Sequence, residues 1–479
     1  MSLTQLPFEI LNDILSRLDD QNEREYADNG FPTLCALALT CRRLSEIVTN
    51  LLYSNIKLVI NGRGAKDTER TKTLNKCCRE TPSLVNRIHS SDIRWFSRED
   101  LEAYDEFLGH LATSTSLTRL KSELNHDDWT VLPALYKFTK GSFPHLTHLD
   151  VELNRVGGKE GYLPAEQLAS LCELPSLERL SVYAPVSGFK TNVRPKDILP
   201  NLTHLHFWGS RPVSVEILDS LLPRTPNLTC LQLGVPGEAT QIDRKMADNT
   251  SMLGYDLDEP LRPAFYGDLL APVAANLNRL VLDVDNITFP SHEESRINLS
   301  RFTNLTQLDL SISLLFGSGP PWARDVWKCL PPRVEKLQLL FHDYSGLFWS
   351  LVDMRRHARS QTFDQLWSER LDMNHVDWLV ELLDRNRDNM PSFRSITIVE
   401  TPVVDRDQNW KIVQWHMTDD LTALARAAGV ELVIMLRVPR NFESPEVVVW
   451  EESWAYGEGG TVEYEQDNVD EELIHETEE

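Results

Sequence analysis

The phrase NLTHLHF, residues 201–207, recurs with variations along the chain and decides the fold that the sequence predicts. Nine segments have the form LxxLxL or a close variant, such as HLTHLDV and NLTQLDL. Their first anchors are Leu117, Leu146, Leu177, Leu202, Leu228, Leu277, Leu305, Val334 and Phe393. Six of the eight intervals between successive anchors are 25–31 residues long, which indicates a repeated structural unit.

Each phrase predicts a short β-strand with two different faces. Successive side chains of a strand point to opposite sides, so the fourth and sixth residues share one face and the third and fifth share the other. Between phrases, PAEQLASLCEL (164–174) and VEILDSLLPR (215–224) have helical spacing. One repeat cannot bury its own apolar face, so the repeats must stack. The predicted fold class is α/β, with parallel strands inside and helices outside, and it resembles an irregular leucine-rich-repeat solenoid.

The predicted repeat domain spans residues 80–450. The segment 80–96 is expected to begin the stack, and the strand-like stretches ELVIMLRV and EVVVW are expected to close it. Two intervals, near 235–262 and 341–392, do not fit the period. The sequence leaves open whether they are insertions or degenerate repeats.

Charge is distributed unevenly along the chain. The 479 residues carry a formal charge of −24, and residues 451–479 contribute 12 Asp or Glu and no Lys or Arg. This last segment predicts a solvated, disordered tail, because it has too little apolar surface to offset the entropy of ordering. The acidic balance also argues against nucleic-acid binding, which requires a cationic face.

The composition favours an intracellular protein, in the cytoplasm or the nucleus. No run approaches the ~20 apolar residues that span a bilayer, so no membrane association is expected. The opening lacks the basic region and the uninterrupted apolar region of a secretory leader. Seven cysteines without CxxC spacing favour reduced thiols.

The opening MSLTQLPFEILNDILSRL predicts an amphipathic helix. Ile10, Leu11, Ile14, Leu15 and Leu18 recur at the spacing that gathers them on one helical face. The stretch FPTLCALALTCRRLSEIVTNLLYSNIKL then supplies two more helical patterns.

Thr40 is placed to cap the last of these helices, whose inward face would be Leu44, Ile47, Val48 and Leu51. The three helices together have only about 50 residues, a size at which an independent core is marginal. We therefore expect another surface to cover them.

Three separated blocks, LPFEILNDIL, LCALALTCRRLSEIV and LLYSNIKL, occur in this order within residues 5–57. Together they resemble the F-box, in the fungal-type form in which a Leu-Tyr pair and a short strand follow the third helix. The resemblance assigns residues 1–57 to a three-helix F-box. It implies binding to a Skp-family adaptor, which links substrate receptors to a cullin-RING ubiquitin ligase.

The same resemblance implies which residues dock on the adaptor or support that docking. They are Leu6, Pro7, Phe8, Ile10, Leu11, Ile14, Leu34, Leu37, Cys41 and Leu44. The alternative is a small helical cap that packs on the repeat domain, because amphipathic helices usually serve the core of their own chain.

No catalytic constellation is found in the sequence. FGSGPP (316–321) lacks the rest of a phosphate-binding fingerprint, and no GxSxG or HExxH occurs. His204 and His206 alternate on one strand face, but the nearest third histidine in that column, His148, is two repeats away, roughly 9.6 Å. We therefore expect no enzyme activity, no cofactor and no metal site.

The third residues of the nine phrases form an unusual column. They are Arg119, His148, Arg179, His204, Cys230, Arg279, Gln307, Lys336 and Ser395. Six of the nine are basic or His and none is acidic, although the chain as a whole is acidic. The seventh positions add Tyr183 and Trp208 on neighbouring strands.

A cationic stripe beside an aromatic pair suits an acidic or phosphorylated peptide. The alternative is that these are ordinary solvated strand residues, which are usually polar. The candidate target-binding residues are Arg119, His148, Arg179, Tyr183, His204, Trp208, Arg279 and Lys336.

The favoured function is that of a non-catalytic substrate receptor for ubiquitination. In this hypothesis the F-box holds the adaptor and the repeat domain holds a target protein whose identity the sequence does not give. The alternative is a stand-alone leucine-rich-repeat scaffold or inhibitor that is not attached to a ubiquitin ligase.

Overall fold

The computed structural model describes Leu11 and a series of ranges that together cover most of the chain between residues 36 and 439. The described ranges are 36–60, 65–95, 101–125, 141–154, 163–184, 186–187, 198–208, 213, 215–235, 263–284, 296–316, 325–341, 377–400, 410–414 and 419–439.

A single 13-stranded β-sheet organises the described part of the chain. Its strands, in chain order, are β1 (Asn55–Ile60), β2 (Ser90–Trp95), β3 (Arg119–Asn125), β4 (His148–Asn154), β6 (Arg179–Tyr183), β8 (His204–Trp208), β9 (Cys230–Val235), β10 (Arg279–Val284), β11 (Gln307–Ser311), β12 (Lys336–Phe341), β13 (Ser395–Glu400), β14 (Trp410–Gln414) and β15 (Glu431–Pro439). Two short strands, β5 (Leu163–Pro164) and β7 (Val186–Ser187), pair separately. Neighbours in the large sheet are parallel and follow chain order up to β13, which pairs with β15, and β14 closes the edge antiparallel to β15.

Helices connect the strands and contribute to the buried side of the sheet. They are α1 (Arg42–Ser54), α2 (Ala65–Glu80), α3 (Leu101–Ala112), α4 (Ala165–Cys172), α5 (Val215–Leu221), α6 (Pro263–Leu269), α7 (Ile312–Phe316), α8 (Asp377–Asn389) and α9 (Asp419–Ala428). The two helices predicted from 164–174 and 215–224 are therefore present as α4 and α5. Among the described residues, no helix combines the length and apolarity that crossing a membrane would require.

The nine predicted strands are all present, and each begins at the third residue of its phrase. The first anchors of the phrases are at most 1% exposed, because they lie in the core just before each strand begins. Along β2, half-buried and buried residues then alternate strictly. In β6 the alternation is incomplete, because Ser181 is also buried at 8% exposure. The sheet thus has a buried face and an opposite face, which we call the open face.

The sheet extends further towards the N-terminus than the repeat pattern predicts. Its first strand is β1 rather than the strand at 90–95, and β1 pairs with β2 in the same register as the later strands. At the other end, ELVIMLRV forms β15, whereas EVVVW lies outside the described residues. The closing strand is β14, whose short sequence WKIVQ has no LxxLxL pattern and was not predicted.

The two intervals that break the period place no strand between their neighbours. β9 pairs directly with β10, and β12 pairs directly with β13. Helix α8 lies within the interval 341–392, immediately before β13. Each interval therefore connects two strands that are adjacent in the sheet.

The recurring NLT triplet links consecutive turns at the N-terminal ends of the strands. Asn201 and Asn227 each donate from Nδ2 to a carbonyl oxygen of the preceding turn at 2.7 Å. The hydroxyls of Thr203 and Thr229 likewise donate to carbonyl oxygens of the preceding repeat, at 3.1 and 3.2 Å. The asparagine side chains satisfy turn carbonyl oxygens that the sheet ladder does not reach. The threonine hydroxyls add a contact to carbonyl oxygens that already accept backbone N–H groups.

The N-terminal cap of α1 differs from the prediction. The cap position is occupied by Cys41, without a side-chain hydrogen bond, and the Thr40 hydroxyl instead donates to the carbonyl oxygen of Leu37 at 2.7 Å. Thr40 therefore closes the turn before α1 rather than capping the helix. The predicted inward face is otherwise found, since Leu44, Ile47 and Val48 are buried.

Candidate functional site

Helix α1 belongs to a small apolar cluster that is separate from the main core. Leu11 and Leu44 are 0% and 4% exposed within it, and Leu37 and Cys41 pack against it while partly exposed. A buried side chain cannot contact a partner without rearrangement. Of the four predicted adaptor residues that the structure describes, Leu11 and Leu44 are thus inaccessible to a partner, whereas Leu37 and Cys41 are partly accessible.

The remaining predicted adaptor residues lie outside the described residues. They are Leu6, Pro7, Phe8, Ile10, Ile14 and Leu34.

One exposed residue near this cluster was missed by the sequence analysis. Leu39 is 89% exposed, in the turn between the short helical segment at 36–38 and α1. Transfer of a leucine side chain from water to an apolar surface is favourable by about 2 kcal/mol of free energy. Contact with a partner would supply this stabilisation for Leu39. The apolar run CALAL did not identify it, because helical spacing alone does not show which leucine faces out.

The helical cluster and the sheet are joined without a linker. Helix α1 ends at Ser54 and β1 begins at the next residue. The amide of His89 donates to the Ser54 carbonyl oxygen at 2.9 Å, and Arg87 Nη1 donates to Asn50 Oδ1 at 2.6 Å. These contacts attach the C-terminal half of α1 to the turn before β2.

The predicted column of third residues forms one continuous row on the open face. Its members are successive register partners, from Arg119 on β3 to Ser395 on β13. We call this set the first row; it comprises Arg119, His148, Arg179, His204, Cys230, Arg279, Gln307, Lys336 and Ser395. The four Arg and Lys side chains of the row are exposed, and His148 and His204 are half-buried.

Further along the strands than the first row, the open face carries carboxylates that pair with nearby cations. Arg94 lies 3.5 Å from Glu123, measured from Nε to Oε2, and Lys121 lies 3.6 Å from Glu152, measured from Nζ to Oε2. These pairs neutralise much of the charge on β2, β3 and β4.

Further along the sheet, Arg279 Nη2 lies 3.5 Å from Asp309 Oδ2. Within the described part of the chain, no carboxylate lies within ion-pair distance of Arg119, Arg179 or Lys336. The unpaired cations of the first row are therefore these three residues.

Two histidines of the first row hydrogen-bond to the threonine that precedes each of them. His148 Nδ1 lies 2.8 Å from Thr147 Oγ1, and His204 Nδ1 lies 2.9 Å from Thr203 Oγ1. Both hydroxyls also donate to a backbone carbonyl oxygen, at 3.0 and 3.1 Å. A hydroxyl has one hydrogen, so both contacts are satisfied only if Nδ1–H donates to the threonine. The neutral imidazoles therefore carry a bare Nε2, which accepts hydrogen bonds.

The arginines and the histidines of the row differ in their electrostatics. Burial lowers the pKa of His148, and the charges of Arg179 and Arg119 lower it further. Burial also lowers the pKa of His204, again with a contribution from Arg179. Both imidazoles therefore bind a proton less readily than a free histidine does. The permanent charges of the stripe are those of its arginines and of Lys336.

The predicted aromatic neighbours are adjacent in the sheet. Tyr183 on β6 is the register partner of Trp208 on β8. Tyr183 is half-buried, and burial, aided by the charges of Asp150 and Glu152, raises its pKa to about 12. The phenol therefore stays protonated and can donate a hydrogen bond at the edge of the open face.

Cys230 and His206 lie together in the middle of the open face. Cys230 Sγ is 3.6 Å from His206 Nε2, and the rings of His204 and His206 meet edge to face with centroids 6.4 Å apart. Burial raises the pKa of the Cys230 thiol, so it is not an activated nucleophile. Within the described ranges, no group of three or more His, Cys, Asp or Glu residues is arranged to hold a metal ion.

Buried apolar residues also occupy open-face positions in the C-terminal half of the sheet. Val281 on β10, Leu340 on β12 and Met435 on β15 are only 4%, 8% and 7% exposed. Polar residues remain exposed there as well, among them Lys336 on β12.

Comparison with known protein families places a match at the N-terminus: residues 3–58 match the family described as F-box-like. These residues include α1 and most of β1, so the match covers the helical cluster and the start of the sheet. It supports an F-box protein and a substrate-adaptor role in ubiquitin ligase complexes, since F-box domains generally bind Skp1-type adaptors of cullin-RING ligases. No curated protein matches the chain.

Proposed function

We propose that this protein is a non-catalytic substrate receptor of a cullin-RING ubiquitin ligase. In this proposal the N-terminal unit is a three-helix, fungal-type F-box that binds a Skp-family adaptor, and the open face of the sheet binds a target protein. The observation that carries it is the F-box-like match over residues 3–58, joined to a sheet with an accessible polar face.

The repeat region would be an irregular leucine-rich-repeat solenoid. Support comes from the nine phrases, whose strands pair in register, and from the asparagine and threonine contacts that repeat between turns. Such an arrangement buries one face of every repeat and leaves the other free for recognition.

The mechanism would be proximity rather than bond making by this chain. The ligase places a ubiquitin-conjugating enzyme near the adaptor, and the receptor holds the target there, which raises the effective concentration of a target lysine. The direct joint between α1 and β1, with its Arg87–Asn50 hydrogen bond, favours this role because it restricts how far the target can swing.

The proposed target surface is the first row together with its aromatic neighbours. Arg119, Arg179 and Lys336, which have no ion-pair partner among the described residues, are accessible, and Tyr183 lies further along the same strand as Arg179. The competing proposal is a scaffold or inhibitor whose N-terminal helices merely cap the sheet. The separate small cluster around α1 favours the receptor, because a cap would be expected to share the main core.

Affinity capture of the full chain from cell extract tests the proposal. We expect recovery of a Skp-family adaptor, and loss of that adaptor when Leu6 and Pro7 are both replaced by Ala or when Ile10→Glu is introduced. A Lys336→Gln variant is the matched control, because it alters the open face far from α1 and should retain the adaptor. Adaptor recovery that is unchanged in the N-terminal variants would contradict the receptor proposal and favour the scaffold.

A further inference from the structure

Four consecutive members of the first row alternate between arginine and histidine. Arg119, His148, Arg179 and His204 lie on β3, β4, β6 and β8 and are successive register partners. Neighbouring strands are ~4.8 Å apart, so the four positions span roughly 14 Å. We call these four residues the Arg-His quartet.

The two arginines of the quartet differ from the other cations around them. Arg94, Lys121 and Arg279 each have a carboxylate within 4 Å on the open face. Among the described residues, Arg119 and Arg179 have none, and both side chains are exposed. Their charges are available to a ligand.

We propose that the Arg-His quartet binds a phosphorylated side chain of the target protein, with the phosphate centred on Arg179 and contacted by His148 and His204 on either side. This inference rests on the proposed function only in assuming that the ligand belongs to a protein target. The guanidinium group of Arg179 can bind two phosphate oxygens at once, and a phosphate offers a further oxygen for flanking donors.

Binding a dianion at this position requires protons on the histidines. Nδ1–H of His148 and of His204 is already donated to the preceding threonine, so each neutral ring presents an acceptor at Nε2. An acceptor repels phosphate oxygens, whereas a protonated Nε2 donates to them. Phosphate binding is therefore coupled to proton uptake by one or both rings.

Burial is the main cause that disfavours protonation of His148. The charges of Arg179 and Arg119 on the two adjacent strands add to it, whereas Glu178 and Asp150 favour the imidazolium. A dianion bound at Arg179 would offset the two arginine charges and so raise the pKa of His148.

The same causes act on His204. Burial disfavours its protonation most, the charges of Arg179, His148 and Arg279 add to this effect, and Glu178 favours protonation. His206 lies two residues after His204 on the same face of β8, and the two rings meet edge to face. A phosphate bound at Arg179 would add a strong negative charge next to His204 and so favour its protonation.

The charges around the quartet favour one compact dianion over a long acidic segment. Asp150 and Glu152 follow His148 on β4, and Glu123 lies on β3 beside them. An extended run of Asp or Glu residues would meet these carboxylates, at a cost in repulsion. A single phosphorylated residue can occupy the quartet without reaching them. Two arginines and two histidines that become cationic also match a charge near −2 better than the −1 of one carboxylate.

Histidine NMR of the full chain, with inorganic sulfate as the probe, tests the anion site. Sulfate remains a dianion throughout the titration, so changes report on the protein alone. We expect sulfate to raise the pKa of His148 and His204. Arg179→Gln should raise both values without sulfate and abolish the sulfate effect, whereas Arg333→Gln, at an exposed arginine outside the first row, should leave it intact. An unchanged titration of both rings in wild-type protein would overturn the proposal.

Peptide binding distinguishes the source of the anion. Three degenerate peptide pools, with a fixed phosphoserine, serine or glutamate, are passed over the immobilised full chain at about pH 7.5, where the phosphate is mostly dianionic. We expect retention of the phosphoserine pool, weakened about ten-fold by Arg179→Gln, the loss expected for one charge-assisted contact. Equal retention of the glutamate pool, or retention that is unaffected by Arg179→Gln, would overturn the phosphate assignment.

These outcomes are independent of the adaptor. Sulfate and peptide binding fail if the quartet is not an anion site, even when the N-terminal unit recovers its adaptor. Loss of adaptor recovery with intact phosphopeptide binding would instead reject the ubiquitin-ligase role and leave the quartet in place.

Discussion

Asn227 donates a hydrogen bond from Nδ2 to the carbonyl oxygen of Pro200 at 2.7 Å and thereby ties the turn before β9 to the turn before β8. The same contact joins Asn201 to Pro175 and Asn304 to Ala275. The asparagine at this point of the repeat stabilises the fold, since its side chain satisfies a turn carbonyl oxygen that has no strand partner. The NLT triplets are thus explained by contacts between repeats.

Replacing Asn227 with Asp should lower the free energy of unfolding by about 1 kcal/mol, because the carboxylate cannot donate and would face the Pro200 carbonyl oxygen. Urea denaturation measures the change. Asn278→Asp is the matched control, since the Asn278 side chain makes no hydrogen bond with the described residues. Equal losses in the two variants would show that the contact contributes nothing specific.

Leu39→Asp should abolish adaptor binding and leave the melting temperature unchanged, because the side chain is 89% exposed and belongs to neither apolar cluster of the described residues. Leu44→Ala, in contrast, should destabilise the helical unit by about 2–4 kcal/mol, since Leu44 is buried in the small cluster. Thermal unfolding and adaptor capture are measured on both variants. Normal adaptor capture by Leu39→Asp would remove Leu39 from the binding surface.

Gly267→Ala should destabilise the protein by about 1–3 kcal/mol. A Cβ at this position in α6 would lie 2.7 Å from the backbone oxygen of Asn298, so the helix and the segment before β11 would have to separate. Gly109→Ala is the matched control, because a Cβ there meets nothing within 4 Å. In helix α3 that change should stabilise by about 0.5–1 kcal/mol. Opposite signs are expected in urea denaturation, and a neutral Gly267→Ala would contradict the close approach.

His206→Gln should reduce the loss of stability on acidification. Burial, reinforced by the charges of His204, Arg279 and Arg179, lowers the pKa of His206 from 6.5 to about 4. The unfolded chain therefore binds a proton between these two pH values that the folded chain does not, so folding stability falls as pH decreases through this window. The free energy of unfolding is measured at about pH 7 and about pH 5 for both proteins. A wild-type loss no larger than that of the variant would contradict the shift.

Period-two patterning determined the strands and the first row. In LxxLxL the apolar residues must share the buried face, so the third residue of every phrase has to lie on the opposite one, and equal phrases bring those residues into register. Arg119, His148 and Arg179 therefore occupy the positions that the sequence predicted for them. The anchors before each strand are buried for the same reason.

The tertiary structure decided what that row can do. Ionisation depends on burial and on charges from other strands, so only the folded arrangement shows that the pKa values of His148 and His204 are lowered, that Arg279 is paired with Asp309, and that Arg179 is not paired among the described residues. The hydrogen bonds from His89 and Arg87 to α1 and the antiparallel strand β14 likewise depend on contacts between distant segments, which a local pattern does not encode. Local alternation sets which face a side chain takes, and long-range packing sets its charge and its partners.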